Sequence, residues 1–378
     1  MVTYCTLSKI AKKKYLLGIY LAIGLGAGCA VIFAILSWYF CCCRPSRQCS
    51  GNSRKRHQVN YSMYDEPSPV DTAVNTANTT TFYVRNSDCD LGPLVPYRLS
   101  SKELETWHVL GNGSHGEVYL GEYRHDTVAI KQLYENQVNS EEVQHFVDEI
   151  VTMTRFDHPR IVSLIGVTWN APPLSLQLKC VMEYMDQGNL QDFCTNSNDK
   201  SFTYRYKLTV TYQIATALAY IHAIPIIHRD LKSKNILLDG RKGAKLTDFA
   251  TAKAVYDATT MTKGIGTFRW MAPEVLNEDR YSAAADIYSL GVIMTEMSSY
   301  SRPYSEQVDS HGKPISEVKI MQQVISGSLR PTFPDTVPQW WKQWSESCMA
   351  ADPKERPTAQ ALADMIASFT KEHAEIMI

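Results

Sequence analysis

A short polar loop between two apolar runs is the feature that most restricts what this chain can fold into. His228–Asn235 follows one run of isoleucines and precedes another apolar run, as expected for a loop between two short strands. The loop carries the carboxylate of Asp230, the ammonium group of Lys232 and the carboxamide of Asn235 at offsets of zero, two and five. These groups suit phosphoryl transfer, in which a hydroxyl is oriented, phosphate charge is offset and Mg²⁺ is held.

A second acidic motif, Asp248–Ala250, begins 13 residues after Asn235. The loop and this motif together resemble the catalytic loop and the metal-binding motif of protein kinases. The resemblance implies that Asp230 orients the substrate hydroxyl and accepts its proton, and that Lys232 offsets the charge of the transferring phosphate. It also implies that Asn235 and Asp248 hold Mg²⁺ beside ATP.

A glycine-rich segment, residues 111–116, lies between two runs with the composition of strands. Alone, its G-x-G-x-x-G spacing is weak, and in a dinucleotide-binding domain a helix would follow it. Here β-branched and aromatic residues follow, which favours the kinase loop whose backbone amides approach phosphates. The resemblance assigns ATP contacts to Leu110, Gly111, Asn112, Gly113, Gly116 and Val118.

A lysine and a glutamate downstream of this loop are expected to form a pair. Lys131 ends the alternating run Val128–Lys131, which resembles the kinase strand whose lysine holds the α- and β-phosphates. Ser140 begins a stretch with helical spacing of apolar residues, and Glu149 lies within it. By resemblance, Glu149 is the helix C partner that pairs with Lys131 and fixes its ammonium group.

The stretch Lys179–Met185 resembles the hinge between the two kinase lobes. The resemblance places Met182 at the gatekeeper position and assigns adenine hydrogen bonds to the backbone of Glu183 and Met185. It also assigns Ala129 to the nucleotide site and Leu237 to the floor beneath adenine.

Three further matches lie in the C-terminal part of the chain. Ala272–Glu274 resembles the end of a kinase activation segment, Asp286 the aspartate that supports the catalytic loop, and Arg356 the arginine that pairs with Glu274. The motifs run in family order from about Trp107 to Phe369. They imply an α+β bilobal kinase fold over residues 105–370, with a small antiparallel sheet lobe carrying helix C and a larger, mainly helical lobe.

Two local details favour serine or threonine as the acceptor. Lys232 resembles the catalytic-loop lysine of serine/threonine kinases, and Thr267 matches their activation segment. The run Trp270–Glu274 is similar to the tyrosine-kinase-like group. Arg229 is expected to bind a phosphate on the activation segment, whose candidate acceptors are Thr259, Thr260 and Thr262.

Two departures from the family pattern keep other interpretations open. Ala250 replaces the usual glycine after Phe249, and His115 replaces the common aromatic residue at the tip of the glycine loop. The alternatives are a catalytically weak pseudokinase that acts as a scaffold, and a dual-specificity or tyrosine kinase.

An uncharged apolar segment near the N-terminus predicts one transmembrane helix. Residues 15–40 contain no Asp, Glu, Lys or Arg. As a helix they would span about 39 Å, more than the ~30 Å hydrocarbon core of a bilayer. Gly24 and Gly28 form a G-x-x-x-G pair within a stripe of small residues, which is consistent with a homodimer through this helix.

The remaining organisation follows from this segment. Residues 1–14 form a short tail, and residues 41–104 are poor in large apolar side chains and read as a flexible juxtamembrane linker. Flanking lysines and arginines do not decide the orientation. Because ATP is in the cytosol, we expect a single-pass membrane protein whose kinase domain is cytosolic. The formal net charge of −1 gives no basic field that would indicate nucleic acid as a partner.

Overall fold

The computed structural model describes residues 90–113, 116–134, 140–169, 178–254, 268–278 and 281–373. The predicted transmembrane segment at 15–40 lies outside these residues, as do His115, Thr267 and the three activation-segment threonines. None of the helices formed by the described residues combines the length and the apolar character that crossing a bilayer requires.

The small lobe contains an antiparallel sheet of five strands among the described residues, in the order β1-β2-β3-β5-β4. The centre of β3 is buried on both faces, because Val128, Ala129 and Ile130 are consecutive apolar residues and all three are buried. The strands are β1 Leu104–Asn112, β2 Gly116–Tyr123, β3 Asp126–Leu133, β4 Leu164–Thr168 and β5 Lys179–Glu183.

Helix α1, Ser140–Met153, lies beside the sheet of the small lobe. Val143, Phe146, Val147 and Ile150 repeat at helical spacing and are buried in the main hydrophobic core. This packing fixes the rotation of α1, so that its remaining inward position, Glu149, is aimed at the sheet.

The segment before β1 packs against the small lobe. Gly92–Tyr97 forms a 3₁₀ turn, and Leu94 within it is fully buried in the same core as α1. The Arg98 guanidinium donates to the Trp169 carbonyl oxygen at 3.1 Å and stacks on its ring. The prediction of a flexible linker over 41–104 is therefore corrected at its C-terminal end. Leu91 and Leu99 also pack against the core, and the Leu99 N–H donates to the Val167 carbonyl oxygen at 2.8 Å, so several contacts hold this segment on the domain.

The larger lobe is mainly helical and is organised around α5. Every residue from Ala285 to Ser298 is buried, as expected for a helix that is enclosed on all sides. The helices of this lobe are α2 Leu190–Thr195, α3 Tyr204–Ala223, α4 Pro273–Glu278, α5 Ala283–Ser299, α6 Glu317–Ile325, α7 Gln339–Cys348 and α8 Ala359–Glu372.

Two short ribbons carry the polar motifs. β6, Ile226–Ile227, pairs with β9, Lys253–Ala254, while β7, Ile236–Asp239, pairs with β8, Gly243–Leu246. The loop at 228–235 therefore connects β6 to β7, as its flanking apolar residues predict. The second acidic motif follows β8, and the two ribbons bring the motifs together.

Candidate active site

Two hydrogen bonds to backbone carbonyl oxygens hold the glycine-rich turn. The Gly113 N–H donates to the Gly116 carbonyl oxygen at 2.7 Å, and the Tyr134 hydroxyl donates to the Gly113 carbonyl oxygen at 3.0 Å. A side chain at Gly116 would overlap the Gln132 carbonyl oxygen of the neighbouring strand, so this position requires glycine. The turn thus leaves its backbone close to the surface, where phosphates can approach.

Lys131 lies in the middle of the sheet, opposite Val118 on β2 and Cys180 on β5. Its Nζ is 2.5 Å from Glu149 Oε1, 2.8 Å from Glu149 Oε2 and 3.8 Å from Asp248 Oδ1. Burial lowers the pKa of Lys131, but the two carboxylates outweigh it and the net shift is upward. The lysine therefore stays charged between the helix and the metal-binding motif.

The catalytic loop gathers its three predicted groups around one carboxylate. Lys232 Nζ donates to Asp230 Oδ2 at 2.6 Å, and Asn235 Nδ2 donates to the Asp230 carbonyl oxygen at 2.8 Å. Burial raises the pKa of Asp230, while the Lys232 charge opposes that shift. The net result is a carboxylate that binds protons more tightly than an exposed aspartate, as suits a group that accepts a hydroxyl proton.

The start of the catalytic loop is held by Asp286 from α5. Its carboxylate accepts the backbone N–H groups of His228 at 2.9 Å and Arg229 at 3.1 Å, and His222 Nε2 lies 2.8 Å away. Burial raises the Asp286 pKa, but these contacts outweigh it and keep the net pKa below its usual range. Arg229 has a φ of 68°, so Asp286 stabilises a backbone conformation that L-residues rarely adopt.

The metal-binding motif has its carboxylate turned toward the site. Asp248 has a φ of 65°, and Phe249 is buried against Phe156 and His228, with ring centroids 4.6 and 5.1 Å apart. Ala250 is exposed and its φ is not positive, so its Cβ causes no backbone strain in this conformation. Its backbone N–H donates to the Asp248 carboxylate.

The Asp248 and Asn235 side chains fit Mg²⁺ by their chemistry. Burial raises the Asp248 pKa, but Lys131, Lys232 and His228 outweigh it and the net pKa is lowered. Because the Asn235 amide nitrogen donates to Asp230, its amide oxygen is turned away from that residue. A carboxylate and an amide oxygen are hard oxygen ligands of the kind that Mg²⁺ prefers.

The predicted adenine site lies where the two lobes join. Ala129 and Met182 are opposite each other in the paired strands β3 and β5, and both are buried, as is Met185. The Glu183 N–H donates to the Ser163 carbonyl oxygen at 3.1 Å, which leaves only its carbonyl oxygen for adenine. Leu237 is partly buried below, while Leu110 and Val118 are accessible above.

The side chain of Glu183 has a role that the sequence did not reveal. Its Oε1 is 2.6 Å from Lys245 Nζ and accepts the Ser163 N–H at 2.8 Å, and Lys242 Nζ lies 3.3 Å from Oε2. The hinge is thereby tied to the β7–β8 ribbon. Lys242 in the β7–β8 turn and Lys245 in β8 look like ordinary solvated charges in the sequence, so no sequence signal distinguished them.

The end of the activation segment is fixed by a bidentate ion pair. Arg356 donates to Glu274 at 2.7 and 2.9 Å, and also to the carbonyl oxygens of Ala350 and Ala284, both at 2.9 Å. The resemblance implies this pair, and the structure brings its two members together 82 positions apart in sequence.

The family follows from comparison with known proteins. A model of the protein kinase domain matches residues 104–366. The chain belongs to the protein kinase family. Members of this family use ATP and Mg²⁺ to phosphorylate proteins.

Curated relatives of the kinase domain include proteins named as serine/threonine kinases. The chain is 34% identical over 269 residues to a probable serine/threonine-protein kinase of Dictyostelium discoideum, covering 71% of this chain and 28% of the relative. It is 30% identical to serine/threonine-protein kinase STY17 of Arabidopsis thaliana, covering 73% and 46%. It is also 30% identical to human mitogen-activated protein kinase kinase kinase 13, covering 77% and 27%. The chain thus spans less than half of the length of each of these relatives.

Proposed function

We propose that this chain is a membrane-anchored serine/threonine kinase of the tyrosine-kinase-like group that acts in signal transduction. The observation that carries the catalytic part is the convergence of two clusters. Lys131, paired with Glu149, lies 3.8 Å from Asp248, and Asp230 is held by Lys232 and Asn235 in the neighbouring loop. This arrangement of charged groups supports phosphoryl transfer as the reaction.

The nucleotide is held from the small lobe. Backbone amides of the glycine turn approach its phosphates, and Lys131 contacts the α- and β-phosphates while Glu149 keeps the ammonium group in place. Adenine lies between Ala129 and Leu237, with the Glu183 carbonyl oxygen and the Met185 N–H as its hydrogen-bond partners.

Residues of the large lobe accept the proton of the substrate hydroxyl and offset the negative charge of the phosphates. Asp230 orients the substrate hydroxyl and accepts its proton, which its raised pKa favours. Lys232 moves from Asp230 to the transferring phosphate. Asn235 and Asp248 would hold Mg²⁺, which offsets negative charge on the phosphates.

The choice of acceptor is tested with matched peptides. The full chain, solubilised in detergent, is incubated with labelled ATP and peptides that differ only in carrying Ser, Thr, Tyr or Ala. We expect label on the Ser and Thr peptides and none on the Ala peptide, with Asp230→Asn as the inactive control. Label on Tyr alone would support a tyrosine kinase, and no transfer by the wild type beyond the control would support a pseudokinase scaffold.

The membrane part of the proposal rests on the composition of residues 15–40. They are free of charged side chains and long enough to cross a bilayer. We place the kinase domain in the cytosol because its nucleotide is there. We also propose a homodimer through the helix, because the G-x-x-x-G pair of Gly24 and Gly28 would let two helices approach closely.

Location and topology are tested in cells. The chain is expected to remain with membranes in alkaline carbonate, and external protease is expected to leave the kinase domain intact in sealed right-side-out preparations. Release by carbonate, or digestion of the domain from outside, would contradict the proposal. Crosslinking of the wild type and of a Gly24→Ile, Gly28→Ile variant tests the dimer separately.

A further inference from the structure

Glu296 on α5 is a buried acidic residue at a junction of four segments. Only 1% of its surface is exposed. Its Oε2 accepts the Trp270 indole N–H at 3.0 Å, and its Oε1 accepts Gln191 Nε2 at 3.3 Å. The buried Ser233 hydroxyl faces the same carboxyl group. Helix α2, the catalytic loop, the segment before α4 and α5 therefore meet at one side chain.

The Ser233 contact places Glu296 beside the chemistry without touching the reacting atoms. Ser233 lies between Lys232 and Asn235 in the catalytic loop. Asp286 holds the beginning of that loop, and Glu296 faces its later part from the same helix. The two carboxyl groups are ten positions apart on α5, about 15 Å along its axis.

Trp270 is fixed to α5 at two points. Its indole N–H donates to Glu296, and its carbonyl oxygen accepts the Ser289 hydroxyl at 2.8 Å. Trp270 ends the turn Phe268–Trp270, which leads directly into Ala272 and α4. A movement of this indole would therefore shift the part of the activation segment that lies next to the catalytic loop.

The contacts around Glu296 favour its ionised form. The indole of Trp270 can only donate, and the Gln191 amide nitrogen also donates, whereas the Ser233 hydroxyl faces the carboxyl group without a hydrogen bond. A carboxylate accepts both bonds in full. A carboxylic acid carries its own O–H on one of the two oxygens, so that oxygen becomes a poorer acceptor and its contact is weakened.

Burial works in the opposite direction. It raises the Glu296 pKa to about 7, although Ser233, Trp270, Gln191 and then Arg302 oppose the shift. Arg302 approaches from the loop after α5. Cys194 of α2 also faces this carboxyl group, and burial and then Glu296 raise the pKa of its thiol. Burial thus brings the pKa of Glu296 close to neutral pH.

We infer that Glu296 is a positioning residue whose carboxylate holds Trp270 and Gln191, beside the catalytic loop, in the geometry that accepts a protein substrate, and that proton uptake weakens these contacts. The inference deepens the kinase function proposed above and rests on it. It predicts that peptide phosphorylation weakens as the pH falls below neutrality, while ATP binding, which depends on the hinge and Lys131, does not.

The kinetic test compares pH profiles of the full chain in detergent, with a Ser peptide as substrate. Because the ionised fraction of a group with a pKa of about 7 falls about tenfold from pH 8 to pH 6, kcat/KM for the peptide should fall by about that factor. Glu296→Gln should lie about tenfold lower at pH 8 and should lack this step, with KM for ATP changed less than about twofold. Glu296→Asp should retain the step.

Other titrating groups serve as internal controls. Asp230 and the ATP phosphates are the same in wild type and Glu296→Gln, so only a step that disappears in the variant belongs to Glu296. Coincident normalised profiles, or an equal loss in KM for ATP, would overturn the inference.

A spectroscopic measurement separates this inference from the kinase proposal. The full chain is labelled with 5-fluorotryptophan, and Trp270→Phe identifies the ¹⁹F resonance of Trp270. That resonance should titrate with a midpoint near pH 7 in wild type and Ser289→Ala, but not in Glu296→Gln. A resonance that does not titrate in the wild type would refute the inference whatever the kinase assay gives. Titration in a protein that phosphorylates no peptide would refute the proposed function and leave the contact standing.

Discussion

Two glutamate-centred ion pairs, one in each lobe, have similar distances and very different surroundings. Lys131 reaches Glu149 at 2.5 and 2.8 Å, with Asp248 3.8 Å away and the Phe146 ring centroid 5.9 Å away. Arg356 reaches Glu274 at 2.7 and 2.9 Å, and its fully buried guanidinium also bonds two backbone carbonyl oxygens.

The two ion pairs differ in how many other groups hold them, and this difference indicates different roles. The small-lobe pair joins a strand to a helix through side chains alone, so either element can shift and break it. The large-lobe pair is fixed from several directions and holds the end of the activation segment to the helices. We therefore expect the first to control activity and the second to control stability.

The largest effect is expected for Lys131→Met. Losing the ammonium group removes one preorganised charge from the phosphates, and the rate of γ-phosphate transfer should fall by roughly 1,000-fold. Unlike Arg356→Met, this change removes no bond to a backbone carbonyl oxygen of Ala284 or Ala350, so the free energy of unfolding should fall by less, about 1 kcal/mol. Transfer rates and thermal melts of the full chain check both values. Lys131→Arg is the matched control. A Lys131→Met variant without a cooperative melting transition would contradict the distinction between the two ion pairs.

Arg356→Met should show the reverse pattern. Removing one partner of a buried ion pair leaves Glu274 uncompensated, which costs about 3–5 kcal/mol of unfolding free energy. The folded fraction should keep its transfer rate within about threefold. Denaturant melts of the full chain, with Glu274→Gln and the double variant, give the coupling between the two side chains. A coupling near zero would show that the pair does not support the lobe.

The smallest effect is expected for Ala250→Gly. Ala250 is exposed and not at positive φ, so restoring the usual glycine relieves no strain. The transfer rate should change less than about threefold, and the unfolding free energy should change by under about 1 kcal/mol. A large gain in rate would show that Ala250 restrains the metal-binding motif, as a weak pseudokinase would require.

The sequence indicated the fold and the charged residues of the candidate site. Lys131, Glu149, Asp230 and Asp248 carry fixed chemistry at fixed spacing, so the motifs indicated both the fold and the members of the site. The structure adds their distances. The family roles of these residues, and the membrane helix, stay predictions.

Other contacts could not be predicted from the sequence, because they depend on packing between segments that are far apart in the chain. Leu94 and its neighbours Leu91 and Leu99 gave no periodic signal, yet they hold the segment before β1 on the domain. Glu296 is one polar residue in an apolar helix, and its partners come from three places in the chain. Lys207 is fully buried beside Tyr204 and Tyr300, although lysine is ordinarily a surface residue.

The most direct test of the whole account is transfer of labelled γ-phosphate from ATP by the full chain, compared with its Asp230→Asn variant. We predict that the wild type labels Ser and Thr peptides and that the variant loses at least about 100-fold of this rate while still binding ATP. Equal labelling by the two proteins, or none by the wild type with Mg²⁺ and ATP in excess, would contradict it.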